Sequence, residues 1–372
     1  MRNFKVGIIG CGTIFPMHAQ SLMNTRGVKL AAVCDIKKGR AAGQARKFRC
    51  NHYTNYKVML SRERLDAVHI CTPHYLHLPM VLEAAKRKIN ILVEKPMALN
   101  PREAEKEIKA ARKNNVTLSV KSQNRFNPGS QLVKKRIEDK SLGKFKAARL
   151  ILSYHKPDSF YRSSDWKGRL SKEGGGVVID QAIHYLDILR WLIPSPIDYV
   201  EASCHNRGHS FIDVEDCAEG VIRFKNGFYV SFYLMNYYSY DADTRIEIDC
   251  EKARVHIVKD SAYIGYYKIR KDREKEGFIR EGREKEGFIR GGREKEGVIR
   301  EEKAQPRDDE YIDYGDGVKD YWGFCHFNQI KDFYEALRSG RKPAIAGEDA
   351  LKTQELVNAI YESSKRGRKV YL

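Results

Sequence analysis

Phe4-Lys5-Val6-Gly7-Ile8-Ile9-Gly10 is an apolar run of the length of one buried strand, and it breaks into Gly10-Cys11-Gly12-Thr13-Ile14 directly before a helical pattern over 16–25. A second run, Val28 to Cys34, closes on Asp35. A strand, a glycine turn that opens a helix, and a strand ending in an acid together confine this part of the chain to a doubly wound α/β unit. Gly10 permits the tight turn, and Gly12 lets the backbone approach a ligand phosphate; the third position of such a turn holds Phe15 instead of Gly or Ala. Backbone N–H groups from Gly10 through Thr13 and Ile14, at the positive end of the coming helix, suit a dinucleotide pyrophosphate. Asp35 lies 23 residues beyond Gly12, where a carboxylate accepts both hydroxyls of an adenosine ribose and repels a 2′-phosphate. NAD is therefore favoured over NADP, although Lys37, Lys38 and Arg40 nearby keep NADP open.

The alternation continues. Strands are expected at 67–71, 90–94 and 117–120, and helices at 37–48, 76–87 and 101–114, the last capped by Asn100 with Pro101 at its first position. Residues 1–122 thus read as a Rossmann domain with a parallel sheet. From residue 123 the pattern changes to longer strands, at 144–153, 199–204, 216–224, 227–234 and 244–250, with Asn226-Gly227 a hairpin turn. Helices are expected at 129–139, 177–192, 324–338 and 347–366. Residues 123–372 read as an α+β domain with a large, mostly antiparallel open sheet. Within it, the decamer beginning at Arg273 recurs at 283–292 and, degraded, at 293–302; its nine basic and nine acidic residues cancel, and it reads as an exposed insertion or the frayed end of a sheet edge.

A chain of 372 residues exceeds what one core supports, so two domains are expected. The net charge of +19 suits an anionic small-molecule substrate; no helix-turn-helix, zinc-finger spacing or RNA-binding motif points to nucleic acid. No apolar run reaches membrane-spanning length and no signal-peptide pattern opens the chain, so a cytoplasmic protein without a membrane partner is expected. Eight scattered cysteines without CxxC spacing read as reduced thiols, and no metal site is expected.

Three further motifs occur in order: Cys71-Thr72-Pro73-His74-Tyr75-Leu76-His77, Glu94-Lys95-Pro96, and Gly174-Gly175-Gly176-Val177-Val178-Ile179-Asp180-Gln181-Ala182-Ile183-His184. With the glycine turn they resemble the glucose-fructose oxidoreductase / inositol dehydrogenase (Gfo/Idh/MocA) family over nearly the whole chain, including its closing stretch from Phe327 to Leu372. The resemblance implies a Rossmann domain followed by an open-sheet domain that often forms the oligomer interface, hence a homodimer or homotetramer. It also implies that Thr72 and Pro73 line the cofactor with His77 behind them, that Glu94 and Lys95 lie at the nicotinamide end, and that Asp180 and His184 form the family's Asp-x-x-x-His pair. Phe15, His74 in place of the usual Asn, and the decamers depart from the family pattern.

Asp180 and His184 are four residues apart at the start of a helix and so share a face. Oxidising an alcohol requires a proton acceptor as hydride leaves, a task that suits His184 near neutral pH. Asp180 can orient the substrate or tune His184, and Lys95 can polarise the same oxygen. Lys95-Pro96 is a candidate cis peptide. Gln123 leaves the last Rossmann strand beside the cofactor, and Arg125 behind it is placed to meet an anionic group bidentately. Tyr161, Arg162 and Trp166 offer a stacking surface with cations for a sugar ring or nucleotide phosphates. His326 is a weaker candidate, read as core packing.

These residues predict an NAD-dependent oxidoreductase moving a hydride between nicotinamide and a hydroxyl or keto carbon of a sugar, cyclitol or nucleotide-linked sugar. One alternative is a glycoside lyase or hydrolase that holds NAD tightly for transient oxidation and elimination. Another is a dinucleotide-binding regulator, whose expected loss of the lysine or of the Asp/His pair is not seen in the sequence.

Overall fold

The structure, a computed structural model, describes residues 3–267, 298–306, 312, 314 and 325–372. The first half is built from β1 (Phe4–Ile9), α1 (Phe15–Met23), β2 (Val28–Cys34), α2 (Lys38–Phe48), β3 (Asn51–Tyr53), α3 (Tyr56–Arg62), β4 (Ala67–Ile70), α4 (His77–Lys86), β5 (Asn90–Val93), α5 (Pro101–Lys113) and β6 (Leu118–Val120). The six strands form one parallel sheet in the order β3-β2-β1-β4-β5-β6. Helices cover both faces, which is why β4, β5 and β6 are apolar almost throughout and buried. Strand order reverses between β1 and β4, so the Gly10 turn opens at the switch point where such sheets bind ligands. Lys95-Pro96, just beyond β5, is cis.

The second half follows with α6 (Pro128–Glu138), β7 (Phe145–Ser153), α7 (Asp158–Arg162), α8 (Leu170–Glu173), a π turn at Val178–Ala182 that runs into α9 (Ile183–Leu192), β8 (Ile197–His205), β9 (Cys217–Phe224), β10 (Tyr229–Met235), β11 (Arg245–Cys250), β12 (Ala253–Val258), β13 (Ser261–Tyr267), β14 (Val298–Ala304), α10 (His326–Ser339), α11 (Gly347–Arg366) and β15 (Val370–Tyr371). Nine strands make a second sheet, β14-β13-β12-β11-β7-β10-β9-β8-β15, antiparallel except where β10 runs parallel to β7. Asn226-Gly227 turns β9 into β10, with Gly227 at φ +86° and the Asn226 side chain accepting from Phe228 N. The end of the third decamer is the edge strand β14, paired with β13; residues 273–297 lie outside the described residues. No helix among the described residues is long and apolar enough to cross a membrane.

The chain crosses back near its end. Ile330, Phe333 and Tyr334 of α10 are buried in one cluster with Phe4, Val6, Ile8, Phe15 and Leu92 of the first sheet and α1. Ile345 and Ala350 join the cluster on the other face of that sheet. Phe15, at the third turn position, is fully buried and meets Phe48 edge-on at 5.7 Å, so the bulk that departs from the glycine pattern is core.

One buried group opposes this packing. Glu107 of α5 is fully buried, and neither carboxyl oxygen has a hydrogen-bond partner among the described residues. Burial, with Glu103 adding to it, pushes its carboxyl well above the usual range. A folded-state value raised above the unfolded one means that stability is lost as pH rises from about 4.3 towards the folded value. Glu107→Leu is therefore expected to stabilise the protein by about 2 kcal/mol near neutral pH, and by less near pH 5. Chemical denaturation at the two pH values checks this; a leucine variant no more stable than wild type at neutral pH would refute it.

Candidate active site

Gly10 adopts φ +97°, and a Cβ there would lie 2.3 Å from the Cys71 carbonyl oxygen, so the residue is glycine for both reasons. A Cβ on Gly12 would meet no described atom within 4 Å: this side of the turn is open. The first turn of α1 carries no acidic residue and no side-chain cap, which leaves its positive end for a ligand anion, although Phe15 N and Met17 N already donate to the Gly12 and Ile14 carbonyls and Pro16 has no N–H. Thr13 is exposed and Ile14 half-buried beside it. Asp35 Oδ2 accepts from Cys11 N at 3.0 Å and Oδ1 from Lys37 N at 2.8 Å, with Arg40 Nη1 3.6 Å from Oδ2. The acid is thereby fixed at the rim of the glycine turn. An open glycine turn at the positive end of α1 and a fixed acid fit the pyrophosphate and ribose of a dinucleotide.

The far wall is more enclosed than the sequence implies. His77, expected among the cofactor residues, is fully buried, with its ring nitrogens 2.8 Å from the Pro96 carbonyl and 2.9 Å from that of Thr72. It ties the Thr72-Pro73 loop to the cis-proline turn and offers no free nitrogen to a ligand. Glu94 Oε1 lies 2.7 Å from His18 Nε2, and Oε2 accepts from Lys95 N at 3.2 Å, so its carboxylate is held inward by α1. His18 Nδ1 in turn meets His69 Nδ1 at 2.9 Å, and His69 Nε2 meets the Tyr334 hydroxyl at 2.9 Å. With Glu94 ionised, one direction satisfies every member: Tyr334 O–H donates to His69, His69 N–H to His18, and His18 N–H to the carboxylate. Ligating atoms of His18, Glu94 and His326 lie within 4.8 Å of one another, but fully buried Lys121 beside them already supplies positive charge to Glu94. Gln123 is buried with its Oε1 unpartnered among the described residues.

Lys95, Asp180 and His184 are brought together. Lys95 Nζ donates to the Asp180 carbonyl at 2.5 Å and to Asp180 Oδ1 at 3.0 Å. Asp180 Oδ2 receives Lys167 Nζ at 3.2 Å and Gln181 Nε2 at 2.5 Å. Burial would raise the Asp180 carboxyl, but Lys167 and Lys95 outweigh it and hold the group well below the usual range. Burial, with Lys95 beside it, pushes the His184 imidazole down to about 3, so His184 is neutral at working pH. Its Nδ1 has no partner among the described residues.

The glycine triplet exists for this placement. A Cβ on Gly175 would lie 2.0 Å from the Tyr361 hydroxyl, and one on Gly176 would lie 1.8 Å from the Glu215 carbonyl oxygen. That close approach lets the Glu215 carboxylate accept from Gly176 N at 2.8 Å, Val178 N at 3.0 Å and the Tyr361 hydroxyl at 2.9 Å. The π turn that carries Asp180 is thus held by Glu215, in the segment leading into β9, and by Tyr361 of α11.

Three expected substrate residues are placed elsewhere. Arg125 is buried with its donors used: Nε and Nη2 reach Asp187 at 2.6 and 2.5 Å, and Nη1 lies 2.6 Å from Asp349. It braces α9 and α11 and has no fork left for a substrate. Tyr161 is core, packed with Ile212 and Val214, its hydroxyl accepting from Asn236 at 2.9 Å. Arg162 lies on the solvent side over Phe211, 3.5 Å from Asp158. Trp166 does face the centre, its ring edge-on to His74 at 4.7 Å. A cavity of about 70 Å³ is lined by Asn124, Tyr154, Lys156, Tyr185, Asp243 and Lys259 among others, and none of Lys95, Asp180, His184 or Trp166 lines it.

Two family models match the chain in succession: the oxidoreductase family with an NAD-binding Rossmann fold at residues 4–122, and the Gfo/Idh/MocA C-terminal domain at 130–256. This chain belongs to the Gfo/Idh/MocA family. It is 29% identical over 253 residues to the oxidoreductase YrbE of Bacillus subtilis, spanning 66% of this chain and 71% of that one. It is 24% identical over 378 residues to the myo-inositol 2-dehydrogenase of Thermotoga maritima, spanning 99% and 98%. Among solved structures, the WlbA dehydrogenase from Bordetella pertussis, in complex with NADH and UDP-GlcNAcA, has the same fold, with a TM-score of 0.80, 24% identity and coverage of 100% and 98%. The two-part oxidoreductase fold and the NAD-binding Rossmann domain read from the sequence are those of this family.

Proposed function

We propose that the chain is an NAD-dependent dehydrogenase or reductase acting on a hydroxyl-bearing carbon of a sugar, cyclitol or nucleotide-linked sugar. The observation that carries the reading is the convergence of Lys95, Asp180 and His184 beyond the open end of the parallel sheet. NAD, when bound, supplies the hydride acceptor, and Gly10, Gly12, Thr13, Ile14 and Asp35 are the residues that would hold it. His184 is the residue to which we assign the hydroxyl proton; burial and Lys95 keep it neutral beforehand, and the negative charge developing on the substrate oxygen must offset them for the proton to move. Lys95, anchored on Asp180, presents its ammonium to the same oxygen and stabilises the charge that develops there. Asp180 stays ionised between two lysines and so orients donors; it does not exchange protons. The myo-inositol and UDP-GlcNAcA named for the relatives above set the range of substrates to test.

We assign cofactor binding to residues 1–122 and substrate binding and assembly to 123–372. Exposed Tyr229 and Tyr233 on β10 support a homodimer or homotetramer formed through the second sheet, and the scattered cysteines, without CxxC spacing, support a cytoplasmic setting. Asp35 supports NAD over NADP: Asp35→Ala is expected to weaken NAD by roughly 10-fold and to relax discrimination against NADP. Equal preference for NAD in both proteins, measured by NADH and NADPH fluorescence titration, would remove the ribose assignment.

The deciding experiment denatures the purified protein, weighs the released nucleotide by mass spectrometry, and screens NADH absorbance over sugars, cyclitols and nucleotide-sugars. NADH accumulating on one class supports the dehydrogenase; stoichiometric trapped NAD with no net NADH supports elimination through transient oxidation instead.

A further inference from the structure

Lys167 has no task in the acid–base scheme, yet it is built firmly into the centre. Its Nζ lies 3.2 Å from Asp180 Oδ2 and 3.6 Å from Glu173 Oε1. The Phe160 and Trp166 rings each lie 4.4 Å from the same nitrogen, so the ammonium sits between two π faces and two carboxyl groups. Glu173 is buried, and its other oxygen accepts from Gly168 N, which keeps the carboxyl turned towards Lys167. Asp180 and Glu215 also act on Glu173, and Tyr161 stands within reach of its charge; Lys95, His74 and His184 face Asp180.

Both Asp180 oxygens are occupied, Oδ1 by Lys95 and Oδ2 by Lys167 and Gln181. Oδ2 already takes two donors, so a substrate hydroxyl that donates to Oδ2 must displace one of them. Of the two, Lys167 has a second acceptor nearly as close. We propose that Lys167 is a transferable clamp, a positioning residue that holds Asp180 in one state of the site and passes to Glu173 in the other, freeing Asp180 Oδ2 for a substrate hydroxyl. Burial, then the nearby Asp180, pushes the Glu173 carboxyl up to about 8. Below that pH Glu173 keeps its proton and Lys167 stays on Asp180; above it the proton leaves to solvent and the new carboxylate draws Lys167 away. The role of Asp180 rests on the dehydrogenase reading; the coupling of Lys167 to Glu173 does not.

Infrared difference spectra of the NAD-loaded protein read the protonated Glu173 carboxyl directly. Its band is expected to vanish as pH rises through about 8 and to be missing from Glu173→Gln. In Lys167→Met the midpoint is expected to move up by about one pH unit or more, and in Lys167→Arg to stay near the wild-type value. On the sugar or cyclitol found by the NADH screen, kcat/KM should rise through the same pH in wild type and Lys167→Arg, and lose that rise in Glu173→Gln. An unmoved midpoint in Lys167→Met, or a rise that survives in Glu173→Gln, overturns the clamp and leaves the dehydrogenase standing. A protein that forms no NADH with any substrate of the screen removes the dehydrogenase reading, and the infrared midpoint then decides the clamp by itself.

Discussion

Lys95→Ala lowers the rate of NADH formation by about 100-fold or more while NAD affinity changes little, and His184→Ala does the same. Lys95 is the donor that ties Asp180, through both its carbonyl and Oδ1, to the turn after β5. Without it the substrate oxygen loses its cation, and Asp180 keeps only Lys167 as a cationic partner. His184 is the neutral base of the group, and alanine leaves no side chain there to accept the proton. The dinucleotide cradle is a different set of atoms, the Gly10 turn and Asp35, so binding is spared. Steady-state kcat paired with fluorescence titration of NADH checks both halves. Turnover at the wild-type rate in either variant would exclude that residue from the chemistry.

Gly176→Ala is expected to cost more than about 3 kcal/mol and to abolish turnover. The added methyl would sit 1.8 Å from a backbone carbonyl oxygen of Glu215, so no side-chain rotation relieves it and β9 or the π turn must move. Moving the turn breaks the Glu215 bonds to Gly176 and Val178 and carries Asp180 off Lys95. Gly12→Ala is the control, because its methyl meets no described atom within 4 Å: the fold should hold while NAD binding weakens. Denaturation curves and NADH titration of the two variants should give opposite patterns. Wild-type stability in Gly176→Ala would mean that the bracket does not set the turn.

The cofactor half was legible because its signals are local. A strand, a turn and a helix announce themselves within a few residues, and the parallel sheet with its glycine turn follows from them, although the short edge strand β3 was not anticipated. The strands β12 and β13 were not anticipated: the turn between them uses Lys259 at φ +51° where glycine or asparagine would have signalled a hairpin. Charged residues misled most. Arg125 looks like an anion receptor in the sequence, and only tertiary packing brings Asp187 and Asp349 to it. Glu215, Tyr361 and Glu173 carry no motif at all, since each acts on the centre across the fold. Trp166 reads from the sequence as a stacking residue, but nothing there singles out Lys167 beside it, because the acceptors of Lys167 come from α8 and the π turn.

Helix α10 gives the molecule a property that its two-part sequence conceals. Phe4, Val6, Ile8 and Leu92 have their neighbours Ile330, Phe333 and Tyr334 only after the ribosome has added the last fifth of the chain. Until then that face of the first sheet is covered only in part, by α1 and α2, and the hydrogen-bond line from Tyr334 to Glu94 has no first member. The nucleotide-binding half is therefore the first to be synthesised and among the last to be finished, and any recombination that swaps the second half for another must bring a matching α10 with it.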